Sequence, residues 1–420
     1  MASFQLRGKN GPPKANKLTP EGRSGHLLLH NAADDKLVLI GGHNESGPLS
    51  DVWTYNVEDN EWFVIEQNSG NTPLPRIDMD GCILNGKVYV LGGMQNDGDQ
   101  VLIYNDLWCF DLEENVWTMI WEECPVSERM GHICIGLTNS EGEGDHMIVH
   151  GGECMGNVFN DTWLYTVSDN SWTVLDDGTR ESQSPCPRFS HVAAYLPSHG
   201  KIVLFGGSTI EEGQPVHLND LWQFGVGEIL GEEELGEEER QCPSGWSQIM
   251  CPDDAMFPSP RDMPAMLPLV NEDGTAAKIL VMGGFGLQEI AVEKDKDVGA
   301  VDELSMAIAE KMEIEIEISA GDQDEDKGDG EGVEQRYLSD AWTIDLESGS
   351  GEELDLQSSA SADGALSAPA FDINTKTNTN TGACRGCRIV QCDGLGYSFG
   401  GFDGETFKGS LDIISLEQFN

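Results

Sequence analysis

The stretch Lys201-Ile-Val-Leu-Phe205-Gly206-Gly207, followed after a polar loop by Asn219-Asp220-Leu-Trp222-Gln-Phe224, decides how this chain folds. A short apolar run closed by a glycine pair, then a run opened by Asp with aromatics at period two, predicts two consecutive antiparallel strands. The pair recurs: Leu37-Val-Leu-Ile-Gly41-Gly42 leads to Asp51-Val-Trp53-Thr-Tyr55, and Val88-Tyr-Val-Leu-Gly92-Gly93 to Asn105-Asp106-Leu-Trp108-Cys-Phe110. Met147-Ile-Val-His-Gly151-Gly152 leads to Asn160-Asp161-Thr-Trp163, and Ile279-Leu-Val-Met-Gly283-Gly284, after a long insertion, to Asp340-Ala-Trp342. A weaker copy, Tyr397-Ser-Phe-Gly400-Gly401 then Leu411-Asp-Ile-Ile414, ends the series. Six copies of one unit outweigh the two or three domains that 420 residues would otherwise suggest, because repeated units share one packing scheme.

Composition narrows the function classes. Seventy-four acidic residues against 24 Lys and Arg give a formal charge of −50, a surface that repels phosphate backbones and anionic lipid and suits basic partners. Neither nucleic acid nor membrane insertion is expected, since no apolar run nears the roughly 20 residues of a spanning helix. The first residues lack the apolar core of a signal peptide. A cytoplasmic location, or a nuclear one, is therefore expected for a monomeric chain, with its 11 cysteines reduced.

Each repeat carries further marks. A basic residue stands upstream of every glycine pair: Arg23, Arg76, Arg129, Arg188, Arg261 and Arg385. Three places later come His26, Met79, His132, His191, Pro264 and Arg388, each beginning an apolar strand. A fourth strand is opened by Trp62, Trp117, Trp172 or Trp246. The unit is thus four short strands, too small to cover both faces of its own sheet, so neighbours must stack. The combination of Arg-x-x-His, Gly-Gly, Asn-Asp-Leu-Trp-x-Phe and Trp resembles the kelch family, and the likeness covers nearly the whole chain outside its insertions. The resemblance implies an all-β fold, a six-bladed kelch-type β-propeller forming a single unit over residues 1–420. In such a fold the glycine pairs end strands against their neighbours, and the aromatics fill the space between sheets.

The last repeat lacks a fourth strand. The order of Ser3-Phe4-Gln-Leu6, a loop, then Arg23 mirrors Trp172 through Arg188, so residues around Phe4 are expected to supply that strand and close the ring by pairing the two ends of the chain. Successive glycine pairs lie 51, 59, 55, 77 and 117 residues apart, which places an acidic insertion at 228–240 in the fourth repeat and a longer one at 288–335 in the fifth. A low-complexity loop at 348–381 occupies the place of the fifth repeat's last strand.

Several groups are candidates for chemistry. In kelch propellers the start of the first strand faces the central channel, so the resemblance implies that Arg23, Arg76, Arg129, Arg188, Arg261 and Arg385 form a partner-binding ring; guanidinium forks suit carboxylates. The competing structural reading pairs each Arg with a carboxylate such as Asp106 or Asp220. His26, His132 and His191 share one position and read as packing residues. Cys384-Arg-Gly-Cys387 has knuckle spacing but no second pair. Asp322-Gln-Asp-Glu-Asp326 imitates a calcium loop, with Lys327 and Val333 where Gly and Glu are needed. No metal or cofactor site is expected from these patterns. Catalytic signatures are lacking, as is the Glu-x3-Asp-x3-His iron element of the family's specifier branch. The reading is therefore a non-catalytic scaffold or adaptor that binds a protein through loops at one mouth; the rival is an enzyme or product-specifier using an Arg/His-lined channel.

Overall fold

A computed structural model describes residues 18–416 except 69, 97–99, 139–142, 180–183, 231–244, 253–254, 271–275, 291–331, 355–384 and 393. The expected fourth strand near Phe4, the calcium-like segment, Cys384 and most of the insertions lie outside these residues.

The chain is an all-β propeller. Among the described residues, five four-stranded antiparallel sheets and a final three-stranded sheet follow one another, each built in chain order from its first strand to its last, while a second three-stranded sheet and three two-stranded ones form hairpins beyond the glycine pairs. The first strands are Leu27–Asn31, Asp80–Leu84, Ile133–Leu137, Val192–Leu196, Ala265–Val270 and Arg388–Cys392. The repeated apolar runs ahead of each glycine pair form the second strands, such as Lys201–Glu211, and the Asp-Leu-Trp runs the third. The fourth strands open where their Trp residues predict, as in Glu61–Val64 and Val116–Trp121.

First strands lie against one another in sequence, and Arg388–Cys392 also lies against Leu27–Asn31. The core accordingly sits between sheets. One apolar cluster joins sheets one and two through Leu27, Val38, Val88, Trp108 and Phe110, and comparable clusters straddle each later pair. Another joins sheets six and one through Leu28, Tyr55, Tyr397 and Phe399. A single four-stranded sheet has no way to bury these faces alone.

The glycine pairs show why no other residue serves. Gly207 has φ 93°, and a Cβ there would meet the Cβ of His191 and the carbonyl oxygen of Phe189 at 2.7 Å. Backbone and side chain approach too closely for any side chain.

Two sequence expectations need correction. The fifth repeat's insertion is shorter than 288–335, because Phe285–Ile290 pairs with Gly332–Tyr337 and sets Gln288 opposite Glu334. The low-complexity segment likewise begins later than residue 348: Gly351–Glu353 pairs with Trp342 to Ile344 as a short fourth strand without Trp.

Candidate interaction site at the axis mouth

Five of the six arginines lie in one repeated cage. Arg188 shows it in full: Nη1 donates to Asp220 Oδ1 and Nη2 to Oδ2, both at 2.7 Å. Nη1 also donates to the Gly206 carbonyl and Nε to the Cys186 carbonyl, while the Trp222 indole donates to Asp220 Oδ2 at 2.7 Å. The same forked pair joins Arg23 to Asp51, Arg76 to Asp106, Arg129 to Asp161 and Arg261 to Asp340. Trp53, Trp108, Trp163 and Trp342 complete those cages. All five guanidinium side chains are buried. Burial pushes the carboxyls of Asp51, Asp161 and Asp220 up, and the arginine bonds outweigh it, holding them below the usual range. These five side chains tie the glycine-pair end of the second strand to the start of the third and present no donor to solvent.

Arg385 differs. The place held by Asp in other sheets is Ser410 in Ser410-Leu411-Asp412, so no carboxylate waits there. Its Nε lies 3.4 Å from Asp262 Oδ1 in sheet five, and its guanidinium is 5.5 Å from the Phe285 ring centre. Arg388, expected at the His position, instead pairs with Phe399 as Leu27 pairs with Ile40, so Cys387 holds the His place and Arg388 follows it; it approaches Asp80 at 3.8 Å.

A left-handed residue stands two places after each caged Arg and one place after Arg385: Gly25, Asp78, Gly131, Ser190, Met263 and Gly386 have φ of 45–71°. Their backbones link in series, with Asp78 N–H donating to Gly25, Gly131 to Asp78, Ser190 to Gly131, Met263 to Ser190 and Gly386 to Met263. They frame a cavity of about 30 Å³, which His132, His191, Cys387 and Arg388 also line. That is room for a water or two, far below the several hundred Å³ of a small-molecule site.

His26, His132 and His191 are buried wedges between sheets, and the Phe399 and Leu91 backbones face His26 and His132 closely enough to ease their protonation. Desolvation holds His132 and His150 near a pKa of about 3 and lowers His26 and His191 as well. A base whose folded pKa lies below its free value of 6.5 contributes stability that is present above pH 6.5 and lost as pH falls toward 3. Buried carboxyls oppose this, notably Glu153, pushed up to about 7 by desolvation. The comparison must therefore be between variants: His132→Asn is expected to lose about 1 kcal/mol less per pH unit than the wild type below pH 6. Urea unfolding at pH 7 and pH 5 measures this, and equal slopes would overturn it.

Beyond every glycine pair the chain rises into a hairpin on the same side as the arginines. The residue after each caged Arg bridges to it: Ser24 to His43, Ile77 to Met94, Met130 to Glu153, Phe189 to Ser208 and Asp262 to Phe285; in sheet six Arg385 itself makes this bridge, to Phe402, so it stands one place out of step with the repeat position expected from sequence. Across four of these hairpins runs a row of rings, half-buried except His217, whose side chain is 5% exposed. His217 meets Phe285 at 5.8 Å, Phe285 meets Tyr337 at 5.2 Å, and Tyr337 meets Phe402 at 5.9 Å. Phe402 then meets Phe407 at 4.8 Å, and Phe407 meets His43 at 5.0 Å. Sequence reading missed this row, whose members come from sheets four, five, six and one. It also missed Asp262, for which a signal existed: the position after Arg is otherwise Ser, Ile, Met, Phe or Gly.

Arg cages, glycine pairs and stacked four-stranded sheets define a β-propeller built of kelch repeats. A family profile described as the Attractin/LZTR1 beta-propeller matches residues 37–227. The chain is 27% identical over 45% of its length to Mei4-dependent protein 6 of Schizosaccharomyces pombe, of which it covers 29%. It is 28% identical over 49% of its length to human Kelch domain-containing protein 3, covering 52% of that protein. An F-box/kelch-repeat protein of Arabidopsis thaliana matches at 26% identity over 63% of this chain and 52% of its own length. The chain thus spans about half or less of the relatives it matches. These likenesses support a kelch-repeat protein. No helix among the described residues is long and apolar enough to cross a membrane.

Proposed function

We propose that the sheets are six blades of a closed propeller, with residues around Phe4 as the outer strand of the sixth, and that the propeller is a non-catalytic protein-binding module. The mouth used is the one formed by the hairpins beyond the glycine pairs. The row from His217 to His43 carries this reading: half-buried aromatics beside an arginine are what central interface residues consist of. Five caged arginines hold the rim rigid, leaving Arg385, Arg388 and the rings to make contact, while the acidic surface selects a partner with apolar and basic side chains. The narrow cavity supports binding at the rim over turnover of a small substrate in the channel.

The test is affinity capture with the full chain against a Phe407→Ala, Arg385→Glu variant. Partners held by the wild type are expected to fall at least about tenfold, with the melting temperature changed by a few degrees at most. Equal capture by the variant, at equal stability, would contradict the assignment of the mouth.

A further inference from the structure

At the opposite end of the axis, where first strands turn into second strands, the junction of sheets one and six carries a chemistry found, among the described residues, at none of the other junctions. The second-last place of the first strand is Ile83, Gly136 and Tyr195 in sheets two to four but His30 in sheet one, and the last place is Leu84, Leu137 and Leu196 in those sheets but Cys392 in sheet six. Their first strands are neighbours, and the second-last residue of one meets the last residue of the other, which brings the imidazole and the thiol together. Asp35, in the turn between His30 and the second strand, adds a carboxylate. Its backbone is left-handed, with φ 49°, a conformation Asp tolerates at some cost.

His30 Nε2 lies 3.3 Å from Asp35 Oδ1, Cys392 Sγ lies 3.8 Å from the same oxygen, and all three ligand atoms fall within 4.8 Å of one another. Nitrogen, oxygen and sulfur ligands around a tetrahedral zinc-type ion stand about 3.3–3.7 Å apart, given bond lengths near 2.0–2.3 Å. Two of the three separations already match, and the third closes with a shift of about 1 Å. Cys392 is buried, whereas the Asp35 side chain is 58% exposed, so an ion can enter from solvent, keep water as a fourth ligand and reach the thiolate at the base.

We propose that His30, Asp35 and Cys392 bind a divalent cation of the zinc class and that this ion clips sheet one to sheet six. Thiolate and imidazole select borderline-soft metals over calcium or magnesium. The residues that share the ion, His30 and Cys392, are 362 positions apart in the chain. Its binding energy therefore adds to the contact between the two ends of the repeat array, because a site assembled only in the folded state stabilises that state.

The experiment is a titration of the reduced, chelator-stripped full chain with Co²⁺, followed by thiolate-to-cobalt charge-transfer absorption, and with Zn²⁺, followed by melting temperature. One equivalent is expected to bind, raising both signals. Cys392→Ser is expected to abolish the absorption, and Asp35→Asn to weaken binding at least about tenfold, while Cys154→Ser and Cys186→Ser leave it intact. If Cys392→Ser fails to fold, Asp35→Asn and His30→Gln, both at the turn, decide the matter by the same readouts. No thiolate absorption at saturating Co²⁺, or absorption unchanged in Asp35→Asn and His30→Gln, would overturn the proposal.

Discussion

Asp220→Ala is expected to lower the free energy of unfolding by about 3–5 kcal/mol, read from urea denaturation, because it strands the buried Arg188 guanidinium without its carboxylate. Arg188 is fully buried and its two forked bonds to Asp220 are 2.7 Å long, so removal of the carboxylate takes away the counter-charge of a buried cation. The Trp222 indole loses its acceptor in the same step. Arg188→Ala should cost a similar amount, since the carbonyls of Gly206 and Cys186 lose their donor. The double variant should cost much less than the sum, leaving a coupling of about 2 kcal/mol or more. Arg385→Ala supplies the contrast: without a carboxylate cage, and with a longer contact to Asp262, it should cost under about 1 kcal/mol. Equal costs at Arg188 and Arg385 would mean that the cage is not what holds the repeat.

That contrast also shows how far the sequence could be read. The strand order, the glycine pairs and the fourth-strand Trp residues follow from local pattern, and each is where the repeat predicts. The arginines left two readings open because each partner carboxylate lies 28 or more positions away, and 79 away in the fifth repeat. The distinction between five caged arginines and Arg385 was nonetheless written in the chain, as Ser410 where Asp was due. The fifth sheet was obscured for a different reason. Gly351–Glu353 carries no aromatic, and the polar pairing of Gln288 with Glu334 has no apolar alternation to mark it as strand. The ring row at the mouth was invisible because no two neighbouring sheets' hairpins share a sequence motif; only the stacking of sheets brings Phe285, Tyr337, Phe402 and Phe407 together.

Everything at the mouth depends on sheets six and one meeting as the other sheets do. The backbone gives one sign of it: Gly401 N–H donates to the Arg23 carbonyl at 2.8 Å, the same bond that Gly42, Gly93 and Gly152 make to the arginine of the following sheet. An array of repeats with free ends frays from both of them, whereas a ring opens as a unit. Native-state hydrogen exchange separates the two. The account predicts that amides in Leu27–Asn31 and Arg388–Cys392 are protected to within about tenfold of those in Ile133–Leu137 at the middle of the chain. Protection that falls by orders of magnitude from the third sheet toward both ends would contradict it.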